Sequence, residues 1–216
     1  MMPTTLAARW QQLTATLGIS DALREATFRQ LTAAYEGSGR HYHTLTHIRA
    51  LLETQERHKE LIREPAVVQL AIWFHDVVYS PRRTDNEARS AVLAQDFMFQ
   101  TNLTAEQRAR VAFLIERTKD HTQPQLAADT DLHFFLDADL QILGAPEADY
   151  WQYARQVRQE YRLVPDMLYR RGRRQVLEKL LLAPILYQTT LFRQLLDTAA
   201  RRNLRTELRQ WEKGSL

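Results

Sequence analysis

The apolar positions of this chain repeat with helical spacing along most of its length. Leu6, Trp10, Leu13 and Leu17 fall at i, i+4, i+7 and i+11, one stripe of an amphipathic helix that Gly18 closes. Ser20 or Asp21 caps a second helix with Leu23, Leu31 and Tyr35 inward, ending at Glu36-Gly37-Ser38-Gly39. Ile48, Leu51 and Leu52 carry a third helix toward Arg63, and Pro65, at a first-turn position, opens a fourth. This fourth segment is apolar on almost every side, as expected of an element buried within a bundle, and Pro81 is expected to end it. Asp85 or Asn86 caps the next helix, and Thr104 with Gln107 forms a capping box before the stripe Val111, Leu114, Ile115. Leu132, Leu136, Leu140 and Leu143 form another stripe, closed by Gly144. Pro146 starts a helix with Tyr150, Ala154, Val157 and Tyr161 in register. The last helix, with Leu191, Leu195, Leu204 and Leu208, reads as a packing or homo-oligomer element ending in Trp211. With no strand-forming alternation, the expected fold is all-α.

One break in this pattern carries chemistry. In Ala66 to Tyr79, AVVQLAIWFHDVVY, the apolar run is interrupted by adjacent His75 and Asp76. A buried imidazole beside a buried carboxylate costs several kcal/mol or more unless both are compensated, and a divalent cation is the usual partner. Adjacent helical residues project about 100° apart, so the pair can share an ion only beside the helix, with other segments completing the shell. Two segments carry suitable groups on apolar helical backgrounds: His47 in RHYHTLTHIRALL and Asp139 in FFLDADLQILG. Asp139 neighbours Leu132, Leu136 and Leu143 at helical spacing, with Asp137 as the alternative. His43 would share a face with His47 if the helix began before it, whereas His41 and His58 read as surface residues.

Composition narrows the chemistry. The 216 residues suit one domain spanning 1–216, and 44% hydrophobic with 25% charged residues is the balance of a soluble globular protein. The absence of Cys excludes disulfides, thiolate nucleophiles and Cys-ligated zinc, so a metal must be held by nitrogen and oxygen. No signal pattern opens the chain and no apolar run reaches bilayer length, so a cytoplasmic location without a membrane partner is the default expectation. Residues 151–216 hold 14 Lys/Arg against 6 Asp/Glu. A basic third can face phosphate, nucleic acid or another subunit, though a solvated face is the commoner cause. Tyr169-Arg170-Arg171-Gly172-Arg173-Arg174 concentrates four guanidiniums after Pro165; Arg170 and Arg173 are the candidates to bind phosphate oxygens, with a solvated basic turn as the alternative.

A single His, an adjacent His-Asp pair and a distant Asp, in this order, resemble the HD superfamily of metal-dependent phosphohydrolases. YHTLTHI, WFHDVVY, DNEARSA, FLDADLQILG, YARQVRQEY and GRRQVL together resemble one bacterial subfamily, with the motif-bearing core at about residues 40–174. The resemblance implies an HD helical bundle in which His47, His75, Asp76 and Asp139 bind the metal, with His43 in a supporting or substrate-facing place. It implies that Glu87 holds water or orients a ligand, although capping and dipole complementarity also account for its charge. His121, with Lys119 beside it at a helix end, suits a phosphate or a second metal, and dipole compensation accounts for both as well.

The mixed nitrogen–oxygen shell is compatible with manganese, iron, cobalt, nickel or zinc, as one ion with room for a second. The expected activity is hydrolysis of a small phosphorylated substrate, with a nucleotide favoured. Asp76 is the first choice as proton acceptor, Glu87 its rival and His121 an auxiliary. A non-catalytic HD module binding a nucleotide or nucleic acid is the alternative. A di-iron oxygenase would need extra ligands, for which His43, His121 and Glu87 are available.

Overall fold

The computed structural model describes residues 4–123, 126 and 128–213. It is 71% helical, with no strand among the described residues, so the all-α expectation holds. No helix among them is long and apolar enough to cross a membrane. The chain packs as two compact units, Met1–Lys119 and Asp120–Leu216.

The first unit contains α1 (Leu6–Ala15), α2 (Asp21–Tyr35), α3 (Leu45–Arg57), α4 (Pro65–Phe74), α5 (Asn86–Met98) and α6 (Ala105–Arg117). The local signals act as expected. Ser20 accepts the Leu23 amide at 3.2 Å, and Thr104 and Gln107 close a reciprocal capping box. Gly18, at φ +66°, makes the left-handed turn that only a residue without Cβ makes cheaply. The third helix stops at Arg57, short of Arg63, because a 3-10 turn over Lys59–Leu61 replaces its last turn.

Helix α4 is the core of this unit. It packs against α3, α5 and α6, and Val67, Val68, Leu70, Ala71, Ile72, Trp73 and Phe74 are all buried. Trp10 of α1 meets Trp73 edge-on at 5.4 Å and Phe97 of α5 at 5.5 Å. Tyr35 of α2 donates its hydroxyl to the Trp73 carbonyl at 2.9 Å. Burying one such side chain is worth roughly 1.5–3 kcal/mol, so α4 is fixed in rotation and depth. Its C-terminus is thereby fixed too.

The second unit contains α7 (Thr130–Asp139), a 3-10 turn over Leu140–Gly144, α8 (Glu147–Glu160), α9 (Asp166–Leu182) and α10 (Thr190–Lys213). α10 packs on the 3-10 turn and on α9. A Cβ at Gly144 would stand 2.6 Å from Leu196 Cβ, so close approach to α10, rather than a left-handed cap, selects glycine there. Asn203 of α10 donates to the Leu143 and Ala145 carbonyls at 2.9 Å each.

Two sequence expectations need correction in this unit. The arginine-rich segment is no turn: residues 169–174 lie inside α9, so their guanidiniums fan around a helix. Arg173, expected to bind phosphate, points inward instead. It is 8% exposed and donates through Nε and Nη2 to the two carboxylate oxygens of Glu207 at 2.8 and 2.9 Å. Tyr150 and Trp211 also donate to Glu207. Burial raises the Glu207 pKa, but Arg173 and these donors outweigh it and hold the carboxyl below its usual range.

Candidate metal centre

The centre is built where α4 ends. Contrary to the expectation that Pro81 ends this helix, its last residue is Phe74. His75 is the C-cap, and Asp76 lies in the turn beyond it. The turn beyond it is held by tertiary contacts. Arg40 donates to the carbonyls of Asp76 and Val77 at 2.6 and 2.9 Å and to the His43 carbonyl at 3.1 Å, while its guanidinium lies over the rings of Tyr35 and Tyr79. Arg40 thus ties the turn after α4 to the chain before α3.

The next segment is clamped as well. Ser90 of α5, fully buried, accepts the Val78 amide at 3.0 Å and donates to the Val78 carbonyl at 3.3 Å. Asn86 accepts the Ser80 amide at 3.1 Å and donates to the Ser80 carbonyl at 2.9 Å. Asn86 and Ser90 in DNEARSA thus hold the turn that carries Asp76. Asp85 takes the N-cap position of α5 without a side-chain cap bond. Glu87 is half-buried in the first turn, where its charge complements the helix dipole.

His47 enters from the first turn of α3, whose N-cap is Thr44. His43 therefore precedes the helix and does not share its face with His47 by helical register. Its ring packs on Tyr79 at 4.3 Å and stands 6.0 Å from the His47 ring. His41 and His58, expected at the surface, are both half-buried.

Within this unit three ligand atoms converge. His47 Nε2 lies 3.2 Å from His75 Nε2, His75 Nε2 lies 3.1 Å from Asp76 Oδ2, and His47 Nε2 lies 3.9 Å from the same oxygen. The imidazoles are 6% and 1% exposed, so these are dry donors. A triangle with these sides has one point about 2.0 Å from all three corners, against roughly 2.0–2.2 Å for zinc–nitrogen and zinc–oxygen bonds. The donor set therefore fits a divalent cation, and three protein ligands leave coordination positions over. His75 Nδ1 bonds the Ile72 carbonyl at 2.9 Å. Because a carbonyl only accepts, Nδ1 carries the proton and Nε2 the lone pair a metal needs.

In the second unit Asp139, the last residue of α7, has Oδ2 2.9 Å from His121 Nε2. Asp137, the alternative ligand, is committed elsewhere: it is 1% exposed and accepts the Gln188 and Thr189 amides and the Thr189 hydroxyl at 2.7–2.8 Å. Burial pushes its carboxyl up to about 6 despite those donors. Lys119 is exposed and donates to the Thr84 carbonyl at 2.8 Å. Arg40, Asn86 and Ser90 were given no site role by sequence reasoning, since each acts through backbone atoms that no side-chain spacing encodes.

No protein-family model matches this chain, and no curated protein matches it. The chemistry of the site therefore rests on its own atoms.

Proposed function

We propose that this chain is a metal-dependent phosphohydrolase acting on a small phosphate ester, with a nucleotide as the favoured substrate. The observation that carries the reading is the triangle of His47 Nε2, His75 Nε2 and Asp76 Oδ2, with sides of 3.1–3.9 Å. The resemblance to the HD superfamily adds Asp139 as a fourth ligand, which His121 orients. When bound, a manganese, iron, cobalt, nickel or zinc ion supplies Lewis acidity toward a phosphoryl oxygen and lowers the pKa of a coordinated water. Asp76 accepts the proton of the attacking water. His43, packed on Tyr79, faces the substrate.

The test is phosphate release by the full chain loaded with each of these metals. The substrates are nucleoside mono-, di- and triphosphates, cyclic nucleotides and aryl phosphates. Metal-dependent turnover that Asp76→Ala abolishes is the expected result. Turnover retained by Asp76→Ala, or none with any metal and substrate, overturns the reading. The basic segment 151–216, with 14 Lys/Arg against 6 Asp/Glu, favours one second reading, a non-catalytic module that binds a nucleotide or nucleic acid. That reading requires steeply salt-dependent binding without hydrolysis.

A further inference from the structure

The three converging ligand atoms of the first unit stand on unequal supports. His47 lies in the first turn of α3, and His75 caps α4 with its ring fixed by the Nδ1 bond to the Ile72 carbonyl. Asp76, in the turn beyond, continues no helix, so no hydrogen-bond ladder sets its backbone. Its side chain is 18% exposed, whereas both imidazoles are buried. Of the three corners, Asp76 depends most on whatever holds the turn.

Much of that hold comes from α5. Asn86 and Ser90 are four residues apart on this helix and share one face. Each grips one residue of the turn by both of its backbone polar groups: Ser90 accepts the Val78 amide and donates to the Val78 carbonyl, and Asn86 does the same for Ser80. Because peptide units are planar, a residue gripped at N–H and C=O has both flanking peptide planes fixed. Ser90 is fully buried, so its hydroxyl works without competition from solvent.

α5 is itself anchored away from the ligands. It packs on α4 and α6, and Ala91, Ala94, Phe97 and Met98 are buried. Phe97 stacks on Phe74 at 5.6 Å and meets Trp10 at 5.5 Å. The clamp is thus carried by a rigid element, which is what holds a ligand within the narrow geometry a metal requires.

We propose that Asn86 and Ser90 are positioning residues of the metal centre, through which α5 presets the Asp76 carboxylate by way of the Val78 and Ser80 backbone before a cation arrives. The segment DNEARSA then serves the cation through two uncharged side chains that bond only the turn. The proposal rests on the metal-dependent reading of His47, His75 and Asp76.

Cobalt binding by the full chain, read by titration calorimetry and by visible absorption, tests it without reference to turnover. Ser90→Ala and Asn86→Ala are each expected to weaken cobalt by about 10-fold, as loss of a partner that orients a ligand does. At saturating cobalt their absorption bands are expected to shift, since Asp76 no longer keeps its place around the ion. Phe97→Leu, near the other end of α5, is the control: it lowers stability in urea through the same helix but is expected to change cobalt affinity by less than about 2-fold and to leave the bands in place. A merely structural role for Ser90 would make Ser90→Ala and Phe97→Leu alike. Because Asn86 is only half-buried, Asn86→Ala supplies the answer if Ser90→Ala does not fold. Wild-type affinity and bands in the two clamp variants, or equal weakening in Phe97→Leu, overturns the proposal and leaves the metal reading standing. Failure of the unaltered chain to bind cobalt overturns the metal reading and this proposal with it.

Discussion

His75 Nδ1 lies 2.9 Å from the Ile72 carbonyl oxygen, one turn back on α4. This single bond fixes the tautomer and the direction of the ring, and so aims Nε2 at His47 and Asp76. His75→Ala is expected to lower manganese or zinc affinity by more than the roughly 10–100-fold that follows loss of an outer-shell partner. His43→Ala, outside the converging triangle, is expected to change it only a few-fold. Metal content after dialysis checks both, and a full equivalent retained by His75→Ala contradicts the ligand assignment.

Arg40 joins the chain before α3 to the turn after α4 through three carbonyls. Hydrogen bonds from a charged donor are worth about 1.5–3 kcal/mol each and are not additive, so Arg40→Ala is expected to cost about 2–4 kcal/mol in urea unfolding. The metal should also bind roughly 10–100-fold more weakly, because the His75-Asp76 turn loses its anchor. Lys presents one compact ammonium in place of a planar fork, so Arg40→Lys is expected to resemble the alanine variant. A wild-type urea midpoint in Arg40→Lys would show that fork geometry is irrelevant here.

Those two residues also mark the limit of sequence reading. The Leu6–Leu17 stripe, Gly18 and the Thr104–Gln107 box were legible because their causes lie within one or two helical turns. The apolar run of α4, broken by His75 and Asp76, was legible because burial of polar groups is visible in a pattern. The anchoring of the turn after α4 was not, because the group that holds it is Arg40, 36 residues from Asp76. Arg173 was misassigned for a similar reason: its partner Glu207 lies 34 residues on, and sequence spacing shows four equivalent arginines where the helix makes one internal. The separate commitments of Asp137 and Asp139 follow from α7 turning by about 200° between them, but not the identity of their partners, the Gln188–Thr189 amides and His121.

Asp137 imposes a pH dependence of unusual sign. Its folded-state pKa is raised by burial to about 6, from 3.8, even though Thr189, Gln188 and the nearby Arg193 favour the ionised form. Between about pH 4 and 6 the folded chain then holds more protons than the unfolded chain, so this contribution falls as pH rises, by about 3 kcal/mol at most. Asp137→Asn removes the titration while keeping one acceptor oxygen. Urea unfolding at about pH 4.5 and 7 is expected to show the wild type losing more stability toward pH 7 than the variant does. Parallel pH dependence in the two proteins would show that Asp137 is not the group responsible.

The buried pair Arg173–Glu207 gives the opposite sign and the sharpest test of a structural role for Arg173. Glu207 is held below its usual range, so its contribution is present above the unfolded-state pKa near 4.5 and is lost as pH falls through the lower folded value. Arg173→Ala leaves a carboxylate that is 1% exposed with Tyr150 and Trp211 as its side-chain donors among the described residues. Removing one partner of such a pair typically costs about 3–5 kcal/mol, and the orphaned carboxyl should then titrate upward, so that acid stabilises the variant where it destabilises the wild type. Replacing both partners, with Arg173→Met and Glu207→Leu, removes the uncompensated charge and is expected to cost less than the single change. Urea midpoints of the three proteins at two pH values settle the matter: if Arg173→Ala unfolds at the wild-type midpoint, the guanidinium is not part of the core and its assignment to phosphate binding is restored.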